Sequence, residues 1–124
     1  MHQLHRATLQ EIGIICWYLC IAIVMTWPLV FSLSTHIIGT PTSDAPLFLW
    51  NAWELQRQFN EGELSMTTGS IIFPHASSLW FHTYTPIFSA IVLCYSFLTS
   101  NLVLAFNLVF LTVTVTSAYC MYRL

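Results

Sequence analysis

From Ile12 to Leu33 the chain runs uncharged and largely apolar, long enough at ~1.5 Å per residue to cross a bilayer core as a helix. Pro28, in its last third, removes a backbone donor and bends such a helix, while Trp27 and Phe31 suit the aromatic belt at its far end. The stretch exceeds the roughly 7–15-residue apolar region of a signal peptide and no A-x-A site follows, so it reads as an uncleaved anchor. Over residues 45–60 the pattern changes to a helical period. Phe48, Ala52, Leu55 and Phe59 fall on one face with Leu49 and Trp53 beside them, and Asn51, Glu54, Arg57, Gln58 and Glu61 gather on the other. This predicts an amphipathic helix along a membrane surface, with Pro46 in its first turn and Gly62 at its end. Its polar face is expected in water, where Glu54 with Gln58 and Arg57 with Glu61 form i, i+4 pairs. Residues 64–83 place turn formers around Ile71-Ile72-Phe73 and Leu79-Trp80-Phe81, which predicts an ordered irregular loop. Two more apolar stretches follow, 85–98 and 102–122, joined by Thr99-Ser100-Asn101. The first is short for a crossing, which takes about 17–25 residues, and fits either a span or a re-entrant segment. The second is rich in Val and Thr, yet in lipid the backbone must satisfy its own hydrogen bonds, which selects a helix.

Composition sharpens this into a membrane reading. Only 6% of the 124 residues are charged, and none lies between Leu64 and Tyr122. A soluble domain carries about 25%, because its surface must face water. The shortage excludes a soluble enzyme, a disordered tail and a nucleic-acid binder, which needs a basic footprint. The fold expected is an all-α integral membrane protein: a single membrane region over 1–124, with three transmembrane helices (12–33, 85–98, 102–122) and an amphipathic interfacial helix in the first outer loop (35–83). Three spans put the chain ends on opposite sides. With Arg6 near the start, the N-terminus and the 99–101 turn are expected in the cytoplasm and residues 35–83 outside. The expected location is the inner (plasma) membrane, multi-pass, with membrane lipid as the surrounding partner.

Candidate chemistry concentrates in the loop. Asp44 directly precedes the amphipathic helix, where a carboxylate caps free N–H groups and meets the positive end of the dipole. The same carboxylate, beside an apolar surface, can serve as a general base or bind a divalent metal. His36, His75 and His82 share the loop at spacings that match no ligand motif, so no metal site is assigned and each fits an interfacial hydrogen-bonder. Arg57, the loop's only permanent cation, can hold a phosphate or pair with Glu54 or Glu61; Trp50 and Trp53 can stack on a sugar or anchor the interface. Asn107 is expected to hydrogen-bond a neighbouring helix. Cys16, Cys20, Cys94 and Cys120 lie in apolar segments without CxxC pairing and read as packing residues.

The order of features is similar to a known one. Thr26-Trp27-Pro28-Leu29 closes the first span; Gly39, Asp44 and Phe48-Leu49-Trp50-Asn51-Ala52-Trp53 follow; then come Phe73-Pro74-His75-Ala76-Ser77-Ser78-Leu79, His82-Thr83-Tyr84-Thr85-Pro86 and Ala105-Phe106-Asn107-Leu108. Together they resemble the N-terminal part of bacterial polytopic membrane proteins of GT-C glycosyltransferase architecture, including the YfhO and dolichyl-phosphate-mannose mannosyltransferase groups. The resemblance implies transfer of a sugar from a polyprenyl-phosphate donor on the non-cytoplasmic side. Asp44 would be the catalytic carboxylate that deprotonates or orients the acceptor hydroxyl, and Trp50, Arg57, His75 and His82 would be substrate-binding candidates. A cofactor is not specified, a divalent metal being compatible. Ala45 follows Asp44, so the Asp-Glu pair of the protein mannosyltransferases is absent. Members of the group carry many more spans, so the chain is expected to be an N-terminal fragment or truncated form, inactive without the remaining transmembrane helices of a larger protein. The alternative is a small non-catalytic membrane subunit that packs on a larger membrane partner.

Overall fold

The computed structural model describes residues 2–72 and 74–124, with side chains from residue 9 onward. Met1, Phe73 and the side chains of His2, His5 and Arg6, on which part of the orientation argument draws, lie outside the described residues. Among the described residues there are four α-helices and one two-stranded sheet: α1 (His2–Met25), α2 (Ala45–Glu61), β1 (Thr67–Ile72), β2 (His75–Ser78), α3 (Pro86–Thr99) and α4 (Leu102–Arg123). The fold is mostly helical, but residues 64–83 are not the irregular loop expected. They form an antiparallel hairpin, with Thr67 opposite Ser78 and Ile72 opposite His75, followed by a 3₁₀ turn at Leu79–Phe81. An all-α description is therefore corrected.

Local chemistry sets most boundaries. Helix α1 stops short of Leu33 because Pro28 interrupts it, and the chain continues through a 3₁₀ turn at Leu29–Phe31. Helix α2 begins with Pro46 in its first turn and ends at Gly62, which adopts the left-handed conformation (φ 74°) that closes a helix without a Cβ clash. Asn101 caps α4, its side chain accepting the Leu104 N–H at 2.8 Å.

The core lies where α2, α3 and α4 meet, around Ala52, Val92, Ala105, Phe106 and Val109. Ala52 and Ala105 are fully buried, and their small side chains let the helices approach closely. Phe48 packs edge-to-face near Phe88, Gln56 reaches Ser96 and Phe59 meets Phe97, so α2 and α3 run side by side in the same direction. The hairpin is the return connection that a parallel pair requires.

This arrangement corrects the expectation for α2. It lies against the length of α3, and the middle of its polar face is not in water: Asn51 and Glu54 are 0% exposed and Gln58 3%, covered by the hairpin and by the approach to α3, while Arg57 is half-buried and Glu61 stays exposed. On the apolar side, Trp53 and Phe59 are exposed. The cysteines also depart from the packing role expected, since all four are exposed.

The placement of the ends corrects the three-span reading. Glu11 accepts hydrogen bonds from Tyr119 at 2.8 Å and from Arg123 at 2.7 Å, so the start of α1 lies against the end of α4. At the other end of this pair, Asn101 donates to the Ser34 carbonyl at 3.2 Å. Helices α1 and α4 are thus antiparallel, and the 99–101 turn sits beside the chain that leaves α1. Three successive crossings would separate those points by a bilayer. Only α4, among the described residues, is a helix both long and apolar enough to cross a membrane; Leu9–Met25 and Pro86–Thr99 are shorter apolar helices.

Candidate functional site

Asp44 stands at the N-terminus of α2 with an exposed side chain. It does not cap the helix through that side chain; only its carbonyl takes part, accepting the Phe48 N–H at 3.1 Å. Its neighbours Ser43 and Ala45 line an open groove of about 560 Å³ between the N-terminal ends of α2 and α3 and the middle of α4. Phe48, Phe88, Phe106 and Phe110 form much of the wall, and the hydroxyls of Ser43, Thr85 and Thr114 are its sparse polar points. The approach to Asp44 is a tight turn: Gly39 sits at φ 99°, and a Cβ there would fall 2.6 Å from Ser43 Oγ. Such a groove can hold an apolar chain; Asp44 lies between two of its lining residues without lining it.

Trp50 and His82 come together, ring centroids 5.4 Å apart and nearly perpendicular. The His82 Nε2 atom is buried without a hydrogen-bond partner, as are Asn51 Oδ1 and Ser89 Oγ nearby in the α2–α3 seam. The amide of Asn51 donates to the Thr83 carbonyl at 2.7 Å, which pins the segment after His82 to α2.

Arg57 is engaged elsewhere. Its guanidinium donates to Glu54 at 2.7 and 3.1 Å and also to Glu61. Those two carboxylates raise its pKa above the ordinary guanidinium value, and it remains charged. Glu54 additionally accepts from Gln58 at 2.9 Å and from Ser70 of β1 at 3.3 Å. Burial works to raise the Glu54 pKa, but the hydrogen bonds from Arg57, Gln58 and Thr68 and the charge of Arg57 outweigh it, and the carboxyl is held below its ordinary range. Tyr84 is pushed up, first by burial and then by the charge of Glu54. The cluster is a clasp between α2 and the hairpin, in which Arg57 pairs with carboxylates and Gln58 Oε1 accepts the Ser65 N–H at 2.9 Å.

His75 lies in β2, exposed, opposite Ile72. Among the described residues, no hydrogen bond links Asp44, Trp50, Arg57, His75 and His82 to one another, and no group of three or more His, Cys, Asp or Glu is placed to hold a metal ion. The sequence pattern missed the buried carboxylate of Glu54, whose neighbours Thr68 and Ser70 are distant in the chain. The groove was partly visible, since Phe48 was already on the apolar face. No family model matches the chain, and neither does any curated protein or solved structure.

Proposed function

We propose that this chain is the membrane-embedded N-terminal portion, or a truncated form, of a glycosyltransferase of GT-C type that takes its sugar from a polyprenyl-phosphate carrier. Helices α1 and α4 would cross the membrane as an antiparallel pair, and residues 35–101 would pack along the outer half of α4 and emerge on the outer side. The 22 residues of α4 extend ~33 Å, enough for a hydrocarbon core of about 30 Å, while the apolar part of α1, Leu9–Met25, is shorter and would lie beside it. The observation that carries the reading is an apolar groove lined by Ser43 and Ala45, the two residues that flank an exposed, uncapped carboxylate. A lipid-linked sugar needs both: a greasy channel for the carrier and a base or orienting group at its polar end. Asp44 takes that role. Trp50 and His82, packed ring against ring, would brace the start of α3, and Arg57, locked in the clasp, would position the hairpin.

The test is sugar transfer from a polyprenyl-phosphate donor by the chain joined to the further membrane helices such enzymes carry, with Asp44→Asn against the native residue. The asparagine keeps the size and loses the charge and the base. Transfer should fall at least a hundredfold while the protein remains folded. Full transfer with asparagine would end the assignment and favour the non-catalytic membrane subunit.

A further inference from the structure

The hairpin and α2 are inverted relative to a water-facing domain. What lies between them is polar: Glu54, Gln58 and Thr68 are buried. The 3₁₀ turn that follows the hairpin turns large apolar rings outward. Trp80 is 75% exposed and Phe81 96%, and Ile71 and Ile72 of β1 are exposed as well. In water this order is costly, since large apolar surface is left wet while a carboxylate is buried. Two large apolar rings exposed side by side, as Trp80 and Phe81 are, mark a surface that another apolar body covers.

The position of the patch identifies that body. The Leu79–Phe81 turn leads within five residues into α3, whose first turn reaches down α4. Thr85 and Phe88 share the groove with Val113 and Thr114, more than ten residues from the Asn101 end of α4. The N-terminal end of α3 is therefore the end nearest the middle of the candidate span. From there an exposed apolar stripe continues along α3 through Ile87, Ile91 and Leu98. With α4 crossing the bilayer, this end of α3 and the turn before it lie at acyl-chain depth, where an exposed indole and phenyl ring meet lipid.

We propose that the Leu79–Phe81 turn dips into the outer leaflet, so that Trp80 and Phe81 contact lipid and hold the hairpin against the membrane beside the groove. This rests on the reading that α1 and α4 cross the bilayer.

The experiment uses the whole chain in phosphatidylcholine–phosphatidylglycerol vesicles, with and without brominated acyl chains. A bimane fluorophore is placed at Phe81→Cys, at Val113→Cys on the exposed side of α4, or at Glu63→Cys beyond the end of α2, the native cysteines being replaced by serine. Brominated lipid should quench the label at positions 81 and 113 at least twofold and leave that at 63 unchanged, while aqueous acrylamide does the reverse. Lipid quenching at 113 with acrylamide quenching at 81 overturns the dip and leaves the membrane reading standing; the patch is then covered by protein or by water. Acrylamide quenching at all three positions overturns both. Should Phe81→Cys fail to fold, Trp80 as the only tryptophan, with phenylalanine at the other four positions, reports the same contrast by its own fluorescence.

Discussion

The side chain of Asn107 accepts the backbone N–H of Ile38 at 3.2 Å, across 69 residues of chain. The same amide donates to the carbonyls of Leu33 and His36 at 2.8 and 2.7 Å. One fully buried side chain thus satisfies three backbone groups of the segment after α1, where no helix or strand pairs them. It was expected to bind a neighbouring helix. Instead it fixes the irregular chain that carries Gly39 and Asp44 to the groove.

Asn107→Leu should therefore destabilise the fold by on the order of 3 kcal/mol, because it leaves buried backbone groups without partners. Thr112→Val is the control. Its hydroxyl is exposed and bonds only to the Leu108 carbonyl of its own helix, so the change should stay within about 0.5 kcal/mol. Unfolding in detergent micelles measures both.

The Glu54 clasp predicts a pH dependence of known sign. Its carboxyl is lowered from an ordinary 4.5, so the charged form stabilises the fold fully above that value. The contribution is lost as pH falls through the lower folded-state pKa. Amide exchange at Thr68 and Ser70 should accelerate below pH 4.5 in the native chain. Glu54→Gln should exchange faster than native at neutral pH, with the acid-induced step removed; a step of unchanged size would place its origin in another group.

Gln58→Glu tests the inverted helix. On the amphipathic pattern it is a harmless surface change. In the fold it removes the donor to Glu54 and sets a second carboxylate against the first in a buried site, which should cost on the order of 3 kcal/mol. It should be at least as damaging as Trp53→Glu, by loss of helicity and of melting temperature.

Asp44→Ala should barely change stability. Losing a side-chain cap typically costs about 1 kcal/mol, but this side chain makes no cap bond, so only the weaker attraction of its charge to the helix end is lost, about 0.5 kcal/mol. A melting point unchanged within a few degrees, beside lost transfer activity, separates chemistry from folding.

Labels at the two chain ends should react from the same side of a vesicle, and those at Glu63 and Ser100 from the other. The Glu11–Arg123 and Asn101–Ser34 contacts require this for an antiparallel pair of spans. Glu63 and Ser100 on opposite sides would restore three crossings.

The helices themselves were legible in the residues. Pro46 and Gly62 bracket α2 as expected, because each acts through its own backbone geometry within a turn of the chain; Pro28, expected to bend a helix reaching Leu33, instead follows the end of α1 at Met25. The tie between Arg57 and Glu61 was equally local. What surrounds a face is not a local property. The alternation over 45–60 showed that α2 has a polar side, but burial of that side depends on Thr68 and Ser70 arriving from β1 with hydroxyls to meet Glu54. The hairpin itself was hidden because Thr-Thr-Gly-Ser and His-Ala-Ser-Ser carry turn chemistry and become strands only by pairing with each other. Topology was hidden for the same reason. Counting apolar stretches gives three, and the contacts of Glu11 with Tyr119 and Arg123, 108 and 112 residues away, bring the ends together.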